Sequence, residues 1–249
     1  MGERRTENEE RRTQNYTSPV FATVPPPAQR LLVFARLPEL GKVKTRLAES
    51  IGDAKALAVY EAMLHDVLHA IGESSPELEI EIAWAPTESA SGEKLRRAFA
   101  SRPLAMQTGA TLGDRLAMAF SERFFFHRTQ KVIAIGVDEP RLTRTIIEDA
   151  FALLDSCEWV VGPATDGGYY LIGCRAAAFN AEVFLDMPWG TNAVLSTTLQ
   201  RIRNWNHTAA MLPIRYDIDV LDDLKRFADE SRGAAGELPS LLRSWGMAA

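Results

Sequence analysis

The feature that most constrains the fold is a short apolar run at residues 31–35, which ends in a basic loop. A continuous apolar segment of this length, bounded by turn residues, is typical of a strand that is buried on both faces of a sheet. The loop that follows contains Pro38 and Gly41 and leads into a helical pattern. A strand that gives way to a helix in this manner predicts an α/β protein.

The same alternation of strand and helix continues along the chain. Strands are predicted at residues 30–36, 78–85, 131–137 and 159–162, with helices between them. This order favours a parallel or mostly parallel sheet with helices on both faces. In strand 78–85 apolar residues alternate with Glu79 and Glu81, which predicts one exposed face. A Gly-rich turn after residue 162 then runs into another strand, which indicates an antiparallel insertion.

Composition sets the domain organisation. The chain has 249 residues, of which 46% are apolar and 24% are charged, within the range of one large α/β domain. Residues 1–29 are polar and charged and then rich in proline, with almost nothing to bury. They predict a disordered leader or an extended spacer. We therefore expect a single domain at residues 30–249.

Charge, hydropathy and cysteine content exclude several classes of partner. The formal net charge is −5, and a basic block occurs only in the first dozen residues, so nucleic acid is not an expected partner. The longest apolar runs have the length of a strand and predict no membrane span. Cys157 and Cys174 have no spacing typical of a metal site or of a disulfide framework. They predict two free thiols in a cytoplasmic protein.

The loop after the first strand contains basic residues that could bind phosphate. Arg36, Lys42, Lys44 and Arg46 lie within eleven residues where a strand gives way to a helix. Basic side chains and backbone N–H groups gathered at such a point can bind phosphate, and Lys44 and Arg46 could reach one diphosphate. The spacing does not match a Walker loop, because the glycine that such a loop needs is absent at position 36. An ordinary solvated basic loop is the alternative.

Asp138 directly follows the buried strand at residues 131–137. Ligands of open α/β sheets bind at the carboxyl ends of the strands. A carboxylate at that position is suited to Mg²⁺ or Mn²⁺, because hard cations prefer oxygen ligands. Alternatively, Asp138 only stabilises a turn before Pro140.

Two further segments carry candidate carboxylates. Asp166 precedes Gly167 and Gly168, and paired glycines allow a backbone to approach a ligand closely, although the same residues also suit a tight hairpin. Asp217 and Asp219 are two residues apart, so in an extended segment they share a face and could both reach a metal.

Six segments, in chain order, resemble those of a bacterial family of nucleotide-diphospho-sugar transferase-like proteins, often described as arsenosugar-biosynthesis-type glycosyltransferases. They are FARLPELGKVKTRL, LGDRLAMAF, IGVDEPRLT, VVGPATDGGYYLIG, MPWGTNAVLSTTL and YDIDVLDDL. The resemblance extends from about residue 31 to residue 227. It implies a GT-A-like fold, in which a Rossmann-like mostly parallel mixed sheet forms a three-layer α/β/α arrangement.

The resemblance also implies a role for each matching residue. The nucleotide diphosphate would be bound by Arg36, Gly41, Lys42, Lys44 and Arg46, and the base or ribose would lie near Gly113, Asp114 and Arg115. The sugar or acceptor pocket would be formed by Asp166, Gly167, Gly168, Trp189 and Thr191. A metal ion, Mg²⁺ or Mn²⁺, would be held by Asp138 with Asp217 or Asp219.

This chain departs from the family pattern at three positions. Arg36 stands where the family usually has lysine, Glu139 where it usually has cysteine, and Gly190 where it usually has serine. The first two changes are compatible with phosphate and metal binding, whereas the third alters the acceptor loop. We therefore expect the donor side of the site to match the family better than the acceptor side.

The predicted function is transfer of a sugar from a nucleotide-diphospho-sugar to a small acceptor. In this prediction the metal ion, aided by Lys44 and Arg46, offsets the charge of the leaving diphosphate, and Asp166 orients or deprotonates the attacking hydroxyl. Nucleotidyl transfer, of the guanylyl or cytidylyl type, from an NTP to a small phosphorylated substrate is an alternative that uses the same groups. A nucleotide-binding protein without turnover is a third possibility, which the residues at positions 139 and 190 motivate.

Overall fold

The computed structural model describes residues 27–99 and 102–247. The predicted leader therefore lies outside the described residues, except for its last three positions. Within the described part, no helix combines the length and the hydropathy needed to cross a lipid bilayer.

Strands and helices alternate through the first two thirds of the chain, as predicted. The strands are β1 (Gln29–Ala35), β2 (Leu78–Trp84), β3 (Leu104–Met106), β4 (Lys131–Ile135), β5 (Trp159–Pro163), β6 (Tyr169–Arg175) and β7 (Ala209–Met211). The helices are α1 (Thr45–Ile51), α2 (Asp53–Ile71), α3 (Gly92–Phe99), α4 (Leu112–Phe125), α5 (Arg144–Leu153), α6 (Val194–Asn204), α7 (Leu221–Glu230) and α8 (Glu237–Ser244).

The seven strands form one mixed sheet in the order β3-β2-β1-β4-β6-β5-β7. Strands β1, β2, β3 and β4 are parallel to one another, and β5 pairs in parallel with β7. Strand β6 runs antiparallel to both β4 and β5, which confirms the predicted antiparallel insertion. The chain leaves β1 for β2 on one side and returns to β4 on the other, so a topological switch point lies between β1 and β4.

Helices cover both faces of this sheet, which confirms the three-layer arrangement. In β1, Leu31 and Val33 pack on the face covered by α2 and α5, whereas Leu32 packs on the face covered by α4. This strand is therefore buried on both sides, as its continuous apolar run predicts. A third apolar cluster joins α1 and α2 to the carboxyl-terminal helices α7 and α8.

Strand β2 corrects one prediction. The alternation in its sequence indicates an exposed face, but Glu81 is only 7% exposed and Ala83 is buried beside it. The Glu81 carboxylate accepts hydrogen bonds from Arg30 at 3.0 Å and from Arg123 at 2.7 Å. A charge can be buried when it is paired in this way, so the polar residue that indicates a solvent face here belongs to an internal ion network.

Candidate active site

The basic loop leaves the carboxyl end of β1 and is fixed to its surroundings at two points. The buried hydroxyl of Tyr60, on α2, accepts from the backbone N–H of Arg36 at 2.7 Å and donates to its carbonyl oxygen at 3.0 Å. Farther along the loop, the carboxylate of Glu39 accepts hydrogen bonds from the hydroxyls of Thr87 and Ser89. The loop is therefore positioned by α2 and by the segment that follows β2.

Lys44 ends this loop with a left-handed backbone conformation (φ 48°, ψ 44°) immediately before α1. Its ammonium nitrogen Nζ lies 2.5 Å from Asp138 Oδ1 and 2.9 Å from Asp219 Oδ1. The Lys44 side chain is 4% exposed, whereas the two carboxylates are 45% and 40% exposed. The lysine thus lies beneath a pair of half-exposed carboxylates, and their charges raise its pKa despite the burial that acts to lower it.

Three of the predicted metal ligands come together at this point. Asp138 follows β4, and Asp217 and Asp219 lie in the segment between β7 and α7. Burial, followed by the charges of Asp138, Asp219 and Asp166, raises the pKa of Asp217 to about 7. The carboxylates are thus close enough to repel one another, which is an arrangement that a cation would stabilise.

The three carboxylates are not arranged as a ready-made metal site. Within residues 27–99 and 102–247, no group of three or more Asp, Glu, His or Cys side chains converges on one ion position. One oxygen of Asp138 and one of Asp219 face Lys44 instead. Their oxygen ligands and surplus negative charge suit Mg²⁺ or Mn²⁺, but a three-ligand site requires local rearrangement.

A cavity of about 600 Å³ opens beside this acidic cluster at the carboxyl ends of β1 and β4. Its volume lies in the range of small-molecule and cofactor sites. Five predicted donor-binding or catalytic cations line it, namely Arg36, Lys42, Lys44, Arg46 and Arg115. The three carboxylates Asp138, Asp217 and Asp219 line it as well. The structure therefore brings most of the predicted donor-side residues to one cavity.

The cavity lining also includes Phe34, Ala85, Gln107 and Leu112. Ala85 and Gln107 follow β2 and β3, which lie on the opposite side of β1 from β4 and Asp138. Gln107 is buried, and its Nε2 donates to the carbonyl oxygen of Ala83 at 2.7 Å. This bond fixes the orientation of the amide and directs its oxygen away from Ala83 as a hydrogen-bond acceptor. Sequence reasoning missed Gln107, and the one available signal was its position directly after the short apolar segment Leu104–Met106.

The other two residues predicted near the base have structural roles in α4. A side-chain methyl at Gly113 would lie 2.1 Å from the carbonyl oxygen of Phe184, so the glycine permits close packing of α4. Asp114 and Thr111 form a reciprocal capping box at the start of α4. Neither residue is among those that line the cavity. Gly41, which was predicted to bind the diphosphate, also lies outside the lining.

The predicted acceptor residues lie outside the cavity lining as well. Asp166 Oδ1 accepts from the backbone N–H of Gly168 at 2.8 Å, which is the hairpin arrangement that the sequence left open. Gly167 has a φ of +90°, and its Cα packs against the backbone of Asn192. Thr191 donates to the carbonyl oxygen of Pro188 at 2.8 Å, within the loop that also contains Trp189. These residues form one packed hairpin and loop, and Asp166 remains near enough to raise the pKa of Asp217.

Glu139, which stands where the family usually has cysteine, is buried with its charge paired. It is 1% exposed and accepts hydrogen bonds from the backbone N–H and the guanidinium of Arg141. Arg141 also donates to the carbonyl oxygen of Tyr216 at 3.1 Å and lies over the Tyr216 ring at 4.0 Å. The glutamate at this position therefore forms an ion pair with Arg141, which connects the Asp138 loop to the segment before Asp217.

Comparison with protein-family models gives a match over the middle of the chain. The matching family is described as "Uncharacterized protein conserved in bacteria (DUF2064)", and the match covers residues 70–191. The chain is similar to the DUF2064 family. The matched range includes β4 and the Asp138 loop, β5, β6 and the loop up to Thr191, but not the basic loop or Asp217 and Asp219. No protein of curated function matches the chain by sequence.

Solved structures show the same fold as this DUF2064-like chain. A candidate nucleotide-diphospho-sugar transferase from Desulfovibrio desulfuricans G20 has 29% sequence identity and a TM-score of 0.82, over 88% of this chain and 95% of that one. A cytidylyltransferase from Leptospira borgpetersenii shares 10% identity with a TM-score of 0.52, over 89% of this chain and 97% of that one. The second similarity is one of fold alone. Both confirm the predicted nucleotide-diphospho-sugar transferase-like fold.

Proposed function

We propose that this protein is a metal-dependent glycosyltransferase-like enzyme, which transfers a sugar from a nucleotide-diphospho-sugar to a small acceptor. The observation that carries the proposal is the cavity at the switch point of the sheet, which is lined both by basic side chains and by a cluster of carboxylates. The similarity to the Desulfovibrio desulfuricans protein supports the same class of reaction. The predicted arsenosugar type rests on the resemblance of the sequence segments.

The donor would lie along the cavity with its diphosphate near both the basic side chains and the carboxylates. Arg36, Lys42, Arg46 and Arg115 line the cavity and supply donors for phosphate oxygens. Arg46 is 71% exposed, so its side chain is able to turn towards a ligand. Gln107 would present its amide oxygen to the base at the β2 and β3 side of the cavity.

Asp138, Asp217 and Asp219 would hold the divalent ion. Carboxylate oxygens are the ligands that Mg²⁺ and Mn²⁺ prefer. Burial, together with the charges of the neighbouring carboxylates, raises the pKa of Asp217, and a cation at this point would relieve that repulsion. When bound, the ion supplies electrostatic stabilisation for the leaving diphosphate. Lys44 contributes positive charge to the same region through its contacts with two of the carboxylates.

The acceptor would approach from the side of the hairpin that contains Asp166, Gly167 and Gly168, with Trp189 and Thr191 nearby. Asp166 remains our candidate for the group that orients or deprotonates the attacking hydroxyl. Its charge affects Asp217, so it lies near the proposed metal cluster. Its bond with Gly168 fixes the carboxylate orientation.

Nucleotidyl transfer is the second candidate, favoured by the fold similarity to a cytidylyltransferase. In that reaction a substrate phosphate attacks the α-phosphorus of an NTP, and pyrophosphate leaves. The same cations and carboxylates would serve. Release of pyrophosphate distinguishes this reaction from sugar transfer, which releases a nucleoside diphosphate.

The test is ligand binding followed by product analysis. Thermal unfolding is measured with UDP-, GDP-, CDP- and dTDP-sugars and with free NTPs, each with and without Mn²⁺, because binding to the folded state raises the unfolding temperature. A metal-dependent shift with one nucleotide sugar, lost in Asp138→Asn, is expected and identifies the donor. Candidate acceptors, arsenic-containing ones among them, are then screened for release of the nucleoside diphosphate. The absence of a shift with every ligand would contradict the proposal.

A further inference from the structure

Lys44 differs from the other basic side chains of the cavity in where its charge lies. Its side chain is 4% exposed, and its Nζ contacts Asp138 and Asp219 at 2.5 and 2.9 Å. Arg46, two residues later, is 71% exposed and stands 3.9 Å from Asp219. The charge of Lys44 is therefore directed at carboxylates, whereas Arg46 extends into solvent where a phosphate could reach it.

The geometry gives Lys44 one oxygen from each carboxylate. Asp138 and Asp219 each present Oδ1 to the ammonium, and both side chains remain 40–45% exposed. A buried ammonium is costly to desolvate unless it is paired, and two adjacent carboxylates repel unless a cation lies between them. The pairing meets both requirements in the free protein. The left-handed backbone at Lys44, which is unfavourable for a residue other than glycine, places the side chain there.

We propose that Lys44 is the internal counter-ion of Asp138 and Asp219, and that it keeps the affinity of this cluster for a free divalent ion low. The ion then binds strongly only together with a donor's diphosphate. This inference rests on the proposed function, because it assigns the metal to the same carboxylates. A positive charge within contact distance of two ligands opposes binding of a second cation. Phosphate oxygens compensate, since Mg²⁺ is commonly held by one or two carboxylates together with substrate phosphates.

The test measures binding of Mn²⁺ alone, by isothermal titration calorimetry and by the loss of the free-ion electron paramagnetic resonance signal. Wild-type protein is expected to bind free Mn²⁺ weakly and to bind the preformed Mn²⁺–pyrophosphate complex much more tightly, measured by calorimetric titration of that complex because pyrophosphate alone also removes the free-ion signal. Lys44→Met removes the charge at nearly constant length. It is expected to bind Mn²⁺ alone about tenfold more tightly than wild type, because one opposing charge is lost. Pyrophosphate should then improve Mn²⁺ binding by a smaller factor than in wild type.

Two further variants separate this effect from general changes in charge or folding. Lys225→Met removes a lysine whose partner is Asp222 on the exposed surface of α7, so its Mn²⁺ affinity should match that of wild type. Lys44→Arg keeps the charge and should also bind Mn²⁺ weakly. Thermal unfolding of each variant reports whether it is folded. If Lys44→Met does not fold, Lys44→Gln takes its place in the Mn²⁺ titration, because the neutral amide can still donate hydrogen bonds to the two carboxylates.

The outcomes distinguish this inference from the proposed function. Tighter binding of free Mn²⁺ by Lys44→Met supports the counter-ion role. Unchanged or weaker binding, or equally tight binding by wild type with and without pyrophosphate, overturns the inference and leaves the proposed metal site in place. The metal site itself is contradicted if neither wild type nor Asp138→Asn binds Mn²⁺, with or without pyrophosphate.

Discussion

The backbone N–H of Ile218 donates a hydrogen bond to the carbonyl oxygen of Asp138 at 3.0 Å. The two residues are 80 positions apart, and this bond ties the loop after β4 to the segment before α7. Each segment carries carboxylates that line the cavity, Asp138 on one side and Asp217 and Asp219 on the other. Because the bond joins main-chain atoms, the acidic cluster is held by the fold as well as by its counter-ion.

A second connection between these segments predicts the effect of Glu139→Gln. The Glu139 carboxylate is 1% exposed and accepts from Arg141, which also holds the carbonyl oxygen of Tyr216. Replacing the carboxylate by an amide removes the buried one of two charged partners of Arg141 and leaves its pair with the half-exposed Glu230. We expect the free energy of unfolding, measured by urea titration, to fall by about 2 kcal/mol.

Glu148→Gln provides the matched control for this change. Glu148 forms a surface ion pair with Arg144 one helical turn earlier on α5, and its side chain is 58% exposed. Removing such a pair should alter the free energy of unfolding by no more than about 0.5 kcal/mol. Equal losses in the two variants would show that burial of Glu139 contributes nothing.

Asp217 predicts an unusual dependence of stability on pH. Burial and neighbouring carboxylates raise its pKa to about 7 in the folded protein, from an ordinary value near 4. Between these pH values the folded state retains a proton that the unfolded chain has released, so this residue makes the protein less stable as the pH rises from about 4 to 7. Its unfavourable contribution is complete above pH 7.

Asp217→Asn removes this contribution, because the amide does not ionise. Measured by urea unfolding with a chelator present, the variant should be more stable than wild type at pH 8 by roughly 2–4 kcal/mol, and by much less at pH 4. The quantity compared is the difference in the free energy of unfolding between variant and wild type at each pH. Taking this difference cancels the contributions of other titrating groups. A difference that is the same at both pH values would refute the raised pKa.

Gly167 and Gly190 separate two costs of replacing a glycine. Both have positive φ, +90° and +77°, but a methyl group at position 167 would lie 2.4 Å from the carbonyl oxygen of Asn192, whereas position 190 has no atom within 4 Å. Gly190→Ala should lower the free energy of unfolding by about 1 kcal/mol, from backbone strain alone. Gly167→Ala should lower it by about 3 kcal/mol, because a steric clash is added. Similar losses in the free energy of unfolding, measured with urea, would mean that the loop around Asn192 shifts at little cost to relieve the clash.

Gln107 predicts a change in nucleotide binding that spares the phosphates. With Gln107→Leu, the amide oxygen proposed to contact the base is lost, while the cations of the basic loop are unchanged. Affinity for the donor nucleotide should fall about fivefold, as expected for one neutral hydrogen bond, and affinity for pyrophosphate should not change. Isothermal titration calorimetry with each ligand gives the ratio of the wild-type affinity to the variant affinity. An equal decrease for both would place the effect on the fold of the site, since Gln107 also holds the carbonyl oxygen of Ala83.

Local patterns in the sequence were sufficient to predict the fold class, whereas the transferase-like type of fold came from the resemblance of the six segments. The apolar run of β1, the break between α1 and α2, and the antiparallel β6 all follow from periodicity and turn residues within short windows. The exposure of β2 did not follow, because Glu81 is neutralised by Arg30 and Arg123, 51 and 42 positions away in the chain. Pairings at such distances leave no mark on the local alternation of apolar and polar residues.

The candidate site was predictable in part, for a similar reason. Residues placed at the ends of strands, such as Asp138 and the basic loop, gather at the cavity because parallel strands end at one edge of the sheet. The ammonium of Lys44 was expected at a diphosphate and lies between carboxylates instead. Gln107 was missed because its contact is with a main-chain carbonyl group of a neighbouring strand. Side-chain direction within the cavity is set by tertiary contacts that the spacing of residues does not report.

The position of β6 has a consequence for synthesis of the chain. Strand β6 follows β5 in the sequence but lies between β4 and β5 in the sheet. When the ribosome has released residues up to Pro163, β4 therefore has an unpaired edge, and β5 has no neighbour through which to join it. An open strand edge is a template for pairing with other chains. Residues Tyr169–Arg175 close that edge as they emerge. A pause in translation while these residues are still inside the ribosome should increase aggregation more than a pause after they have emerged.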